Sequence, residues 1–258
     1  RVVYIVSIVI AVLSVGSCGD AGGDPVPGAL RIDEYIHLIS GKKIAIVANQ
    51  TSMAGQEHLV DFLIGRGVRP EAIFAPEHGF RDLADAGEKI EDGRDPSTGI
   101  PLISLYGSHL KPTPGDLKGL EVVIFDIQDV GARFYTYIST LHYVLEACAE
   151  NNVRCLVLDR PNPNGFYVDG NVADTLHRTF VSMDPVPVVH GMTVGEYAMM
   201  LNGEGWLKNG VRCDLTVIPC KNYTHETLYE LPVKPSPNLP NQTSVYLYPS
   251  ICFFEGTN

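Results

Sequence analysis

Positive charge is in short supply in this chain. Lys and Arg number 19 against 30 Asp and Glu over 258 residues, a formal net charge of −11. Nucleic-acid binding works by neutralising phosphates with basic side chains, so the balance excludes that partner class, and with it electrostatic adhesion to anionic lipid. The acidic charge is spread rather than blocked and reads as ordinary solubility. Cysteine is equally sparse. After Cys18 only Cys148, Cys155, Cys213, Cys220 and Cys252 remain, an odd number that cannot pair completely within the chain. No pair has zinc-finger spacing. If CDLTVIPC is one strand, Cys213 and Cys220 lie roughly 23 Å apart, beyond disulfide reach, and the five are read as structural.

Several catalytic signatures are missing too. No Gly-x-Gly-x-x-Gly follows the first strand-like run, and no Gly-Lys-Ser phosphate loop or Gly-x-Ser-x-Gly elbow occurs. Nucleotide-binding and serine-hydrolase readings are thereby disfavoured. No His-x-x-x-His or Asp-x-Asp places two metal ligands together. The reading therefore assigns no cofactor and no metal.

The one long apolar stretch is at the start. Arg1 is followed by apolar residues to about Gly16, short of the ~20 that span a bilayer. It matches a secretory signal over 1–17, and Val15-Gly16-Ser17-Cys18 fits a lipobox whose cysteine is lipidated. Residues 18–30 are rich in Gly, Pro and Asp and are expected to be a flexible tether. The expectation is an exported lipoprotein, periplasmic or cell-surface, held to its membrane only by lipid. The sequence lacks an initiating Met and ends at Asn258 without a recognisable closing helix or strand, so a fragment is expected.

Four apolar runs each end in a polar cluster: IAIVANQTS, AIFAPEHGF, VVIFDIQDVGARFYTY and CLVLDRPNPNG. Continuous aliphatic runs read as strands buried on both faces, as in a parallel sheet. The predicted strands are 43–48, 72–75, 102–106, 121–127 and 154–158. Helices are expected at 58–65, within KPTPGDLKGL, at 136–150, and from Thr193, where Glu196 completes a capping box. The fold class is α/β, with a Rossmann-like parallel-sheet domain over 31–200. A smaller α+β domain is expected to begin at 201 and to be incomplete at 258, with the proline-rich ELPVKPSPNLPNQ irregular.

In open α/β sheets, ligands bind beyond the carboxyl ends of the strands. That edge would collect Asn49, Glu77, His78, Asp126, Gln128, Asp129, Arg133, Asp159, Arg160 and Asn162. Glu77, after a buried strand and Pro76, suits a general acid, since a carboxyl against apolar walls is easily kept protonated; a cap or a pair with Arg81 is the plain alternative. Asp126 and Asp129 suit either catalysis or loop bracing. Arg133, Tyr135 and Tyr137 recur at spacing two and would line a groove for sugar or carboxylate. The turn from Asp159 to Gly165 would aim Asn162 at a ligand. His190 reads as a ligand, a base or a core histidine, the last being the commonest case.

Taken together, GKKIAIVANQTS, FAPEHGFRDLADAGEKI, VVIFDIQDVGARFYTYI, VLDRPNPNG, PVVHGMTVGEYA, KPSPNLP and FEGTN occur in an order that resembles the bacterial exo-β-N-acetylmuramidase family, from about residue 35 to the end. The resemblance implies a Rossmann-like domain joined to a smaller C-terminal one across a cleft. It also implies release of N-acetylmuramic acid from the non-reducing ends of peptidoglycan fragments. The family's Pro-Glu-His-Gly glutamate falls on Glu77, which makes Glu77 the expected acid beside His78. Its partner would be Asp126, Asp129, Glu255 or the substrate's own acetamido group. The lactyl carboxylate of muramic acid calls for a cation, for which Arg133 and Arg160 are candidates. Asn49, Gln128, Tyr135, Asn162, His190 and Glu255 complete the expected binding set. The competing readings are a non-catalytic lipoprotein that binds peptidoglycan fragments, and a metal-dependent hydrolase built on Asp126, Asp129 and Asp159.

Overall fold

A computed structural model describes residues 23–77, 79–81 and 92–256. The first helix, α1 (Ile32–Ile39), buries Tyr35 and Ile39 and carries Asp33 and Glu34 in its first turn, where the helix dipole favours them. Strand β1 (Ile44–Ala48) follows, then a small hairpin, β2 (Met53–Ala54) and β3 (Glu57–His58), and α2 (Leu59–Ile64). Next come β4 (Ala72–Ala75), the short β5 (Gly93–Arg94), β6 (Pro101–Ser104) and β7 (Val122–Asp126). The second half holds α3 (Tyr137–Asn151), β8 (Arg154–Leu158), α4 (Val194–Glu204), β9 (Leu215–Ile218) and α5 (Gln242–Ile251).

Seven strands form one sheet in the order β5-β6-β4-β1-β7-β8-β9, parallel except for β5. β1 lies at the centre, with Ile46 opposite both Ile73 and Ile124. Because side chains alternate between faces, each strand feeds two cores. Ile44, Ile46, Ile73, Ile124 and Leu156 pack with α1 and α2. Val47, Phe74, Phe125 and Val157 pack with α3, α4 and α5. This double burial explains why the runs carry no alternating polar residues.

Several local signals hold. Thr193 and Glu196 form the capping box of α4, which ends at Gly205 with φ 69°. Helix α3 ends at Asn152 in the left-handed region, φ 55°. A buried polar network ties α3 to α4: His142 bridges Asp184 and Glu146 at 3.0 and 3.1 Å, Tyr197 donates to Asp184 at 3.0 Å, and Lys111 meets Glu146 at 2.9 Å.

Other expectations need correction. Strand β9 lies beyond residue 200 yet pairs with β8, Val217 opposite Val157, so the sheet runs past the expected domain boundary. Val245 and Tyr248 of α5 join the core beside α3, so part of the segment after residue 200 packs into the main core. Residues 23–30 are docked rather than loose. Val26 bridges to Lys221, and Gly28 donates its N–H to the Asp159 carbonyl at 2.7 Å. A Cβ on Gly28 would lie 2.4 Å from the Ile218 carbonyl oxygen, so only glycine fits against β8 and β9. The stretch KPTPGDLKGL forms turns instead of a helix, held by Asp116 accepting from the Thr113 N–H and hydroxyl. Among the described residues, no helix is long and apolar enough to cross a membrane. Cys18 and the signal-like segment lie outside the described residues.

Candidate active site

All the parallel strands end on one edge, and there β4 delivers Glu77 into a cleft of about 430 Å³. One wall is the segment Phe134–Tyr137 leading into α3. The other is Ser236, Asn238 and Leu239, with Tyr248 of α5 and Glu255. Thr136 is the N-cap of α3, but its hydroxyl makes no cap bond; it reaches the Glu77 carboxylate at 3.4 Å. The Tyr137 hydroxyl donates to the Glu77 carbonyl at 3.2 Å. Tyr106 lies beside the Glu77 carboxyl, and burial together with that negative charge pushes the Tyr106 pKa up. Glu77 is thus held at both its backbone and its carboxyl.

The proline-rich wall has no regular structure, yet it is fixed. The carbonyl of Pro235 accepts from the Tyr135 hydroxyl at 2.7 Å and from Gln50 Nε2 at 3.0 Å. Tyr135 packs edge-on against both Tyr137 and Tyr248. The Tyr248 hydroxyl donates to Glu255 at 3.1 Å, and burial plus this carboxylate raise its pKa. Of the residues expected to make the site, Glu77, Tyr135, Tyr137 and Glu255 line the cleft.

The remaining candidates form the support beneath it. Asn49 accepts from the Thr51 N–H and hydroxyl and lies against the Tyr137 hydroxyl. Gln128 donates to the carbonyls of Asp129 and Pro161. Asn162 accepts from the Asn164 N–H and donates to the Met192 carbonyl, bracing the turn after β8. Asp129 accepts from the Gly131 N–H at 2.7 Å, with His190 Nε2 at 3.7 Å. Both side chains are buried. Asp129 Oδ1 and His190 Nε2 have no hydrogen-bond partner among the described residues.

Four of the expected site residues are committed elsewhere. Arg160 is buried and closes on Asp126 with bonds of 2.6 and 2.8 Å, its third contact being the Met53 carbonyl. It therefore does not face the cleft, and Asp126, fully enclosed, is its counter-ion rather than a cleft carboxylate. Arg133 is also buried and donates to the carbonyls of Asn171 and Val186, staking down the loop before α4. Asp159 caps α4, accepting from Gly195, Thr193 and Arg160. Burial outweighs those bonds and lifts its pKa to about 6. His78 lies outside the described residues.

Sequence reasoning passed over Tyr106, Thr136, Ser236, Asn238 and Tyr248. For Thr136 the signal was available: it stands inside the FYTY stretch whose neighbours were singled out.

The sequence profile for the N-terminal region of the exo-β-N-acetylmuramidase NamZ matches residues 44–243. The chain belongs to the NamZ family. It is 40% identical over 234 residues to the peptidoglycan β-N-acetylmuramidase NamZ of Bacillus subtilis, a match covering 88% of this chain and 56% of that protein. Two crystal structures of DUF1343 family proteins from Bacteroides fragilis share the fold of this NamZ-family chain. One has a TM-score of 0.82 at 50% identity, covering 91% of this chain and 62% of the other. The second has a TM-score of 0.81 at 36% identity, covering 90% and 60%. The chain thus spans roughly three-fifths of the length of these relatives.

Proposed function

We propose that this protein is an exo-acting glycoside hydrolase that releases N-acetylmuramic acid from the non-reducing ends of peptidoglycan fragments. Glu77 is the general acid. The observation that carries the reading is the placement of Glu77: it lines the cleft at the carboxyl edge of the sheet, anchored by Thr136 and Tyr137 beside Tyr106. The likeness to a named peptidoglycan β-N-acetylmuramidase supports the substrate class.

Glu77 donates its proton to the glycosidic oxygen as the bond to the anomeric carbon breaks. The developing oxocarbenium ion then needs a negative partner or an internal nucleophile. With Asp126 held by Arg160, Glu255 is the second carboxylate lining the cleft among the described residues. Glu255 or the substrate's own acetamido group fills that role. The tyrosines offer flat faces to a sugar ring. With Arg133 and Arg160 committed to the interior, the muramic lactyl group is met by neutral donors such as Ser236 and Asn238. Export and lipidation at Cys18 complete the proposal, and incorporation of labelled fatty acid, abolished by Cys18→Ala, tests them.

The hydrolase reading is tested with chromogenic β-N-acetylmuraminide and β-N-acetylglucosaminide in parallel. Release from the muraminide alone, unaffected by chelator, is the expected result. Binding of glycan fragments without release from either sugar would replace this reading with a non-catalytic peptidoglycan-binding protein.

A further inference from the structure

A second cavity of about 400 Å³ lies along α3 from the cleft. Tyr143 is on its wall and Thr136 is on the cleft wall. Being one heptad apart, they share a face of the helix, displaced by about 10 Å along its axis. What separates the two spaces is the tight turn 179–182, closed by hydrogen bonds between Thr179 and Ser182 in both directions. Val181 points from this turn into the cleft, and Phe180 points the other way, stacked on Tyr143 with ring planes 10° apart. Val181 is 44% exposed, so the turn between the two spaces is open to solvent.

The chemistry of this second space differs from that of the cleft. Lys111, Arg178 and Lys208 all line it, in a protein of net charge −11. Lys111 is committed to Glu146 and Glu150. The side chains of Arg178 and Lys208 have no carboxylate partner among the described residues. Lys208 is held in place through its backbone, whose N–H donates to Glu146 at 2.7 Å. Glu146 lines the same space but is engaged by His142 and Lys111, so the space offers Arg178 and Lys208 beside an aromatic platform, a combination suited to a sugar ring bearing a carboxylate.

We propose that the cavity between α3 and the 178–183 segment is an accessory subsite for a carboxylate-bearing sugar further along the same glycan, with Arg178 and Lys208 binding the carboxylate and Tyr143–Phe180 the ring. This rests on the hydrolase reading above. In a chain that alternates N-acetylmuramic acid with N-acetylglucosamine, the next carboxylate is one disaccharide from the sugar cleaved, comparable to the offset between the two spaces. The subsite makes the protein selective for polymeric, carboxylated glycan over its terminal disaccharide.

The test compares kcat/KM for a muramic-terminated disaccharide and tetrasaccharide, using the full chain and the Arg178→Ala/Lys208→Ala variant. Wild type is expected to favour the tetrasaccharide by roughly tenfold, the worth of one or two charged hydrogen bonds. The double variant loses that preference and keeps the disaccharide rate. A tetrasaccharide with only its internal muramic carboxylate reduced to an alcohol behaves like the disaccharide. Equal rates on both glycans in wild type, or a preference that survives in the variant, overturn the subsite. So does a preference shown instead by a disaccharide bearing an acidic peptide on its lactyl group. If wild type cleaves none of these glycans, the hydrolase reading fails, and binding of a fluorescent tetrasaccharide decides the subsite separately. Weaker binding by the variant sustains it and equal binding overturns it.

Discussion

The guanidinium of Arg160 and the carboxylate of Asp126 face each other in a two-bond fork, 2.6 and 2.8 Å, with both side chains at most 2% exposed. One sits at the end of β7 and the other just past β8, neighbouring strands in the sheet. Removing one partner strands a buried charge, which costs about 3–5 kcal/mol. Asp126→Ala is therefore expected to lower the urea-unfolding free energy by that amount. Replacing both residues with apolar ones of similar size costs less than the single change. Hydrolysis by the folded fraction of Asp126→Asn persists, because Asp126 does not reach the cleft.

His142 gives the protein a pH-dependent stability term. Burial alone would lower its pKa, but hydrogen bonds with Asp184 and Glu146 outweigh burial and hold it at about 9 against a reference of 6.5. A raised folded pKa means that the stabilisation is fully present below pH 6.5 and is lost as pH rises through 9. The difference corresponds to on the order of 3 kcal/mol. Burial likewise opposes ionisation of Glu146, yet His142 and Lys111 bring its pKa down to about 2. Its share is present above pH 4.5 and fades as pH falls through 2. Urea midpoints measured from pH 6 to 10 should drop across the upper window, and His142→Gln should flatten that drop.

Gly28 tests whether the N-terminal stretch belongs to the fold. Its backbone lies so close to β8 and β9 that a methyl group meets backbone atoms of Ile218 and Asp159 within 2.7 Å. Backbone cannot yield as a flexible side chain does, so Gly28→Ala should cost about 1–3 kcal/mol. A thermal-melting experiment reads this directly. An unchanged melting temperature would restore the picture of a loose tether reaching residue 30.

The sheet was legible because its strands are buried on both faces. IAIVA, AIFA and RCLVL have no polar residue inward of their ends, and the structure places strands at 44–48, 72–75 and 154–158. The same logic put Glu77 first among the site residues, as a polar side chain delivered by a buried strand. Pairing between strands was not legible. Arg160 and Asp126 both look like free charges at strand ends until the register of β7 and β8 sets them side by side. Helix α5 was hidden by Pro249 within it and by the prolines before it. Ser236 and Asn238 come from irregular backbone with no periodicity to read, held by bonds to Gln50 and Tyr135 from far along the chain.

The account stands or falls on Glu77 as proton donor, and Glu77→Gln against two leaving groups tests this most directly. A general acid contributes roughly 10²–10⁴-fold when the leaving oxygen needs a proton, and far less when the leaving group departs as a stable anion. The account predicts that Glu77→Gln loses turnover of a natural muramyl disaccharide by that factor. On a dinitrophenyl muraminide it should keep most of its rate. Equal losses on both substrates, or no loss on either, would contradict it.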